Sequence, residues 1–207
     1  MKSRTRNKLV RGVGVNDADY QTSISEMIDG RQKRIWRCKL CRVWEGMLDR
    51  CYSEKYQAKQ PTYVGCEVVE EWLNFSVFRN WMVTQPWEGN ELDKDILIPG
   101  NKVYGPDTCV FVPCGLNLFM TDRGSLRGEF PIGVCWDKDR GMFIALCRNP
   151  FTGKQENLGR FTDPAAAHEA WRKRKHELAC RYADMQTDPR IAQALRTRYA
   201  TPAGEFT

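Results

Sequence analysis

Nine cysteines and two histidines are the side chains here best suited to hold a metal or act as nucleophiles. Cys38-x-x-Cys41 has the spacing of one half of a zinc site, with Cys51 and Cys66 as the other pair of a four-cysteine set. The second pair is spread over 15 residues without a compact knuckle. Free cysteine fills core positions well, so core packing is preferred to zinc. Cys109, Cys114, Cys135, Cys147 and Cys180 read as strand or core residues. His168 and His176 stand eight apart in one predicted helix, as ordinary helix-surface residues. No histidine-bearing segment pairs with a cysteine as a thiol protease requires. An odd number of scattered cysteines favours reduced thiols over a disulfide framework, which points to the cytoplasm.

The elements that must position these groups follow from composition and spacing. In 207 residues there are 32 Lys and Arg against 26 acids, a net +6 that suits an anionic partner without demanding one. Aromatics at 11%, seven of them Trp, provide enough buried area for a folded chain. Mean hydropathy is −0.58, with no apolar run near the length of a membrane span, and no apolar core follows the basic N-terminus as a secretory signal would require. Lys2, Arg4, Arg6, Lys8 and Arg11 make residues 1–32 read as a basic N-terminal arm. Apolar residues from Ile35 and Trp36 through Leu40, Val43, Trp44, Met47, Leu48 and Cys51 predict a helix over 32–53. A second helix is predicted over 70–84, carrying Trp72, Phe75, Phe78, Trp81 and Met82, with a loop and short strand between the two. Short apolar pieces at 95–98 and 103–104, a strand over 108–112 and a short helix over 115–121 follow. PIGVCWD, MFIALCRN and KQENLGRF, separated by DKDRG and PFTG, predict a three-stranded antiparallel meander. Thr162-Asp163-Pro164 then starts a helix running to about Ala183, and a last helix spans 189–199.

The stretch from Pro131 to Ala183 resembles the ethylene-response-factor type DNA-binding domain, which is also found appended to phage HNH homing endonucleases. Gly133-Val134, Ala145, Arg148, Leu158-Gly159, Phe161 and the Ala-rich helix with Trp171 carry the resemblance. It implies that the sheet enters the major groove of double-stranded DNA while the helix packs behind it. Arg148 falls where the family presents an arginine to DNA. Gln155 and Asn157 are placed to hydrogen-bond base edges, and Lys138, Arg140 and Lys154 to hold phosphates. Cys135, Asp137, Gln155 and Asn157 replace the Arg or Trp of plant members, so the family's sequence preference does not carry over.

Residues 43–120, with VWEGMLDRCY, PTYVGCEVVEEWLNFSVFRNWM and LDKDILIPGNKVYGPDTCVFVPCGLN, resemble the phage HNH endonucleases. The resemblance implies a ββα-metal module with one divalent ion, Mg²⁺ or Mn²⁺, at the scissile phosphate. Asp93 falls on the metal-binding carboxylate and Asn117, nine residues after Thr108, on the helix ligand. Thr108 stands at the usual middle Asn and Lys94 where the general-base His is usual, so Asp95 is the alternative base. Carboxylate oxygens suit Mg²⁺. The alternative is that LDKD and GNKVYGPD are turns held by side chain–backbone hydrogen bonds.

The expected fold is α+β: a basic arm (1–32), an HNH-like module with two Trp-rich helices (33–122), a sheet-and-helix DNA-binding module (123–186) and a C-terminal helix and tail (187–207). The first functional expectation is a metal-dependent DNA endonuclease or nickase with Asp93, Lys94, Asp95 and Asn117 at its site, in a host cytoplasm if phage-encoded. The alternatives are a catalytically degenerate HNH scaffold that binds DNA, or a protein-binding inhibitor of a host nuclease.

Overall fold

The computed structural model describes residues 9–121 and 129–200, so Lys2, Arg4, Arg6 and Lys8 of the expected arm lie outside the described residues. The chain divides into two units, Met1–Pro113 and Cys114–Thr207.

In the first unit, Asp29 and Gly30 both take positive φ (54° and 71°), the backbone of a two-residue hairpin turn whose twist matches its strands. The turn joins β1 (Ser23–Ile28) to β2 (Arg31–Arg37), paired antiparallel from Ile28↔Arg31 to Ser23↔Arg37. The helix predicted over 32–53 is therefore a strand followed by a shorter helix, α1 (Lys39–Tyr52). Cys38 precedes it in extended geometry, and the buried stripe is Cys41, Trp44, Met47, Leu48 and Cys51, without Ile35 and Trp36. Ser53 then accepts the backbone N–H of Tyr56 and starts α2 (Glu54–Lys59) inside the expected loop. Beyond a 3-10 turn at Pro61–Tyr63, β3 (Glu67–Val68) is the expected short strand.

The helix predicted over 70–84 is a 3-10 turn, Glu70–Leu73, and then α3 (Phe75–Met82). Asn74 is extended between them because Val15 bonds both sides of it, donating to Leu73 O (2.8 Å) and accepting from Phe75 N (3.0 Å). β4 (Asn90–Asp93) and β6 (Val110–Pro113) pair antiparallel, and β5 (Val103–Tyr104) runs parallel to β3. Residues 95–98, expected as a short apolar piece among turns, form a bend. The Asp93 carboxylate takes up the N–H groups of Asp95 and Ile96 there and turns the chain out of β4.

The core of this unit is aromatic. Trp44, Trp72, Phe75 and Phe78 are buried, each such side chain contributing roughly 3 kcal/mol through area removed from water. The Trp44 indole N–H is satisfied by Trp72 O at 2.7 Å. Gly14 is required beside this cluster because a Cβ there would meet Leu48 and Trp44.

The second unit opens with α4 (Cys114–Met120), which follows β6 without a linker. Phe119 packs on Tyr182 and Tyr199 (ring centroids 5.1 and 6.3 Å), and Lys175 donates to Phe119 O at 2.6 Å. The meander is as expected: β7 (Val134–Asp137), β8 (Met142–Arg148) and β9 (Gln155–Phe161) form an antiparallel sheet in that order. Asp163 caps α5 (Pro164–Ala183), its carboxylate accepting Ala166 N at 2.9 Å with Pro164 in the first turn. Asp188 does the same for α6 (Pro189–Arg198). Gly133 has φ 79° and lies so close to the Trp171 indole that a Cβ would overlap it. That contact seats the start of β7 on α5. The fold is thus α+β, with small sheets and six α-helices among the described residues, none long and apolar enough to cross a membrane.

Candidate functional site

Strand pairing in the second unit decides which side chains face α5. Glu156 of β9 bonds Arg174 of α5 (2.8 Å) and lies opposite the buried Cys147, so both point toward the helix. Pleat alternation sends their neighbours the other way. Arg148 pairs with Gln155 and Leu146 with Asn157 on the face away from α5. Arg148, Gln155 and Asn157 are all exposed, and so are Lys138, Arg140 and Lys154, in or beside the two strand-connecting turns. Three of the six residues expected to meet DNA, Arg148, Gln155 and Asn157, therefore share one face of one sheet, and the other three lie in or beside its connecting turns.

Arg160 joins them and was missed by sequence reasoning. Its partner across the sheet is Ile144, and its guanidinium bonds Asp137 Oδ2 at 3.3 Å, as does Arg140 at 3.4 Å. Alternation along β9 was the available signal, but a bulge between Ala145 and Leu146 shifts the register midway. Desolvation works against ionisation of Asp137, but the hydrogen bonds from Arg160 and Arg140 outweigh it and hold the carboxyl below its ordinary range. The face and its connecting turns thus carry five cations, two of them shared with one anion. Arg174 above all, helped by Asn149, pulls Glu156 down to about 2, so the sheet-to-helix tie is ionic across the neutral range.

The residues expected to do chemistry lie in two places. Asp93 ends β4 and Lys94 and Asp95 follow it in the first unit, and Asn117 lies half-buried on α4 in the second. Asp93 Oδ1 accepts the backbone N–H groups of Asp95 (2.8 Å) and Ile96 (2.7 Å). Burial raises the Asp93 pKa and the nearby Asp95 carboxylate adds to that, while the two backbone N–H bonds oppose it. Lys94 is only 6% exposed. Its Nζ donates to Asn101 O (2.7 Å) and Asp95 Oδ2 (3.0 Å), and it faces the Tyr104 ring at 6.0 Å. The Asn101 amide returns a bond to Lys94 O (2.6 Å) and another to Val103 O (2.7 Å). Arg50 lies against the same ring at 5.5 Å and donates from Nε to the Tyr104 hydroxyl at 2.9 Å. Thr108 Oγ1 donates to Val103 O at 2.8 Å and Gly105 O at 3.3 Å. LDKD and GNKVYGPD are thereby held by a continuous set of side chain–backbone bonds.

The oxygens of Asp93 and Asp95 are of the type a hard divalent cation takes. Of the four, Asp93 Oδ1 already serves two amides and Asp95 Oδ2 the Lys94 ammonium. Among the described residues no group of three or more His, Cys, Asp or Glu side chains is placed to hold a metal. Cys38, Cys41, Cys51 and Cys66 are buried free thiols in the aromatic core. Burial, with the neighbouring Cys66 next, pushes the Cys51 thiol up to about 12, and burial also raises that of Cys41. The two histidines are tied to their own unit, His168 Nδ1 to Ile132 O (2.8 Å) and His176 Nε2 to Cys180 Sγ (3.6 Å). No family model, curated protein or solved structure matches the chain.

Proposed function

We propose that this protein binds duplex DNA through the face of the β7–β9 sheet turned away from α5. The observation that carries this reading is the gathering of Arg148, Gln155, Asn157 and Arg160 on one exposed face, flanked by Lys138, Arg140 and Lys154. A β element of this width fits the major groove, where an arginine fork and carboxamides can meet base edges while peripheral cations meet phosphates. Lys94 supports a binding role over a cutting one. An ammonium donating to a carbonyl and a carboxylate has no lone pair with which to take a proton from water. The HNH-like segment is then a structural support. The test is fluorescence anisotropy of the full chain on a labelled duplex, beside Arg148→Ala/Gln155→Ala/Asn157→Ala. The triple variant is expected to lose at least tenfold in affinity, since each good base contact is worth about 1–3 kcal/mol. Equal affinity would remove the sheet from the interface.

A second reading, a metal-dependent nickase, is favoured by one observation. Strands β4 and β6 pair antiparallel, with Asp93 last in β4, and Asn117 lies on α4, the element that follows β6 in the chain. Asp93 would offer the ion a carboxylate oxygen, and the ion when bound would supply charge to the scissile phosphate. Supercoiled plasmid with Mg²⁺ or Mn²⁺, with EDTA and beside Asp93→Ala, decides it. Metal-dependent nicking lost in the variant would restore the enzyme. Intact plasmid with retained DNA binding is the outcome expected here.

A further inference from the structure

Among the described residues the β1–β2 hairpin pairs with no further strand, and nearly all of its side chains face solvent. An isolated two-stranded ribbon is marginal in water, so a ribbon wet on both faces is a surface in want of a partner. Its charge states which kind. β2 reads RQKRIWR, with Arg31, Lys33, Arg34 and Arg37, against Glu26 on β1 and Asp29 in the turn. Lys33 reaches Asp29 at 3.3 Å and Arg37 is paired with Glu45. Arg31 and Arg34 have no ion pair among the described residues. Trp36, 47% exposed, faces solvent beside Ile24 across the ribbon, and Ile35 is 48% exposed. Met27 and Ile28 on β1 are exposed as well, but they lie opposite Gln32 and Arg31. Ile35 and Trp36 are bracketed by Arg34 and Arg37, so the apolar side chains are interleaved with polar ones rather than gathered in the single patch of a protein-docking surface.

We propose that this ribbon is a second duplex-DNA contact, in which Arg31 and Arg34 meet phosphates and Trp36 lies against the backbone or groove wall. The inference rests on the DNA-binding reading above but on different residues in a different unit. A two-stranded ribbon fits the major groove, and unpaired arginines suit a polyanion rather than a protein surface of mixed charge.

The experiment measures affinity of the full chain for a labelled duplex across a salt series. It compares wild type, Arg31→Ala/Arg34→Ala and Arg31→Lys/Arg34→Lys. Each phosphate contact contributes about 0.9 to the slope of log K against log salt. The alanine pair is expected to flatten that slope by about 2, and the lysine pair to keep it. A wild-type slope in the alanine pair overturns the ribbon contact while leaving the sheet reading intact, and leaves the ribbon to a protein partner. Equal loss in the alanine and lysine pairs also overturns it, because charge would not be the cause. Absence of wild-type binding at any salt brings down the sheet reading and this inference together.

Discussion

At the scale of single residues, Lys94 separates the two functional readings. The HNH resemblance would make it the counterpart of the base, yet it is buried and spends its protons on Asn101 O and Asp95. Lys94→Met is therefore expected to lower unfolding free energy by about 1–3 kcal/mol, because a buried carbonyl loses a charged donor. DNA affinity should stay unchanged. Urea unfolding and anisotropy on the same preparation check both. Glu156 gives a pH prediction with a defined sign. Arg174 and then Asn149 hold its pKa at about 2, below its ordinary 4.5. A carboxylate lowered on folding stabilises fully above its unfolded pKa, and that contribution disappears as pH falls through 4.5 toward about 2. The difference in melting temperature between wild type and Glu156→Gln should thus be constant near neutrality and shrink across that acidic window. A difference that persists at the acid end would mean the Arg174 tie does not depend on charge.

At the scale of elements, the second unit was legible in the sequence and the start of the first was not. The meander could be read because DKDRG and PFTG separate its strands, and α5 because Asp163 and Pro164 announce its first turn. The β1–β2 hairpin was hidden although Asp29-Gly30 is a strong two-residue turn signal. Ile35 and Trp36 fall at helical steps from Leu40 and Val43, and periodicity ran the helix backward through a strand. The break at Asn74 was not legible either, since it depends on backbone bonds to Val15, far away in sequence. In the candidate sites, Arg148, Gln155 and Asn157 were named from a family resemblance, and their shared face follows from the β8–β9 register. The tie from Lys94 to Asn101 and Tyr104 needs a folded loop that no local pattern encodes. Gly133 joins these levels, being a motif residue whose reason is only visible in three dimensions. Gly133→Ala would strain a positive φ and drive a methyl into the Trp171 ring, so a loss of about 1–3 kcal/mol is expected. Chemical denaturation measures it, and an unchanged midpoint would mean that β7 can shift off α5 freely.

At the scale of the whole molecule, the net charge of +6 is modest, so overall charge cannot by itself make this a DNA-binding protein. What matters is where cations are concentrated: on one sheet face in the second unit and along β2 in the first, while several other arginines are spent in ion pairs such as Arg190–Asp188 and Arg196–Asp184. Phosphate contacts formed by such concentrated cations release counterions, and this release leaves a signature that an apolar interface lacks. The decisive measurement is the affinity of the intact protein for a duplex of random sequence as monovalent salt is raised. Five cations on the sheet face and its connecting turns, two of them shared with Asp137, predict a slope of log K on log salt of about −3 or steeper. Tight binding that ignores salt, or no binding even at low salt, would contradict the claim that this protein acts on DNA.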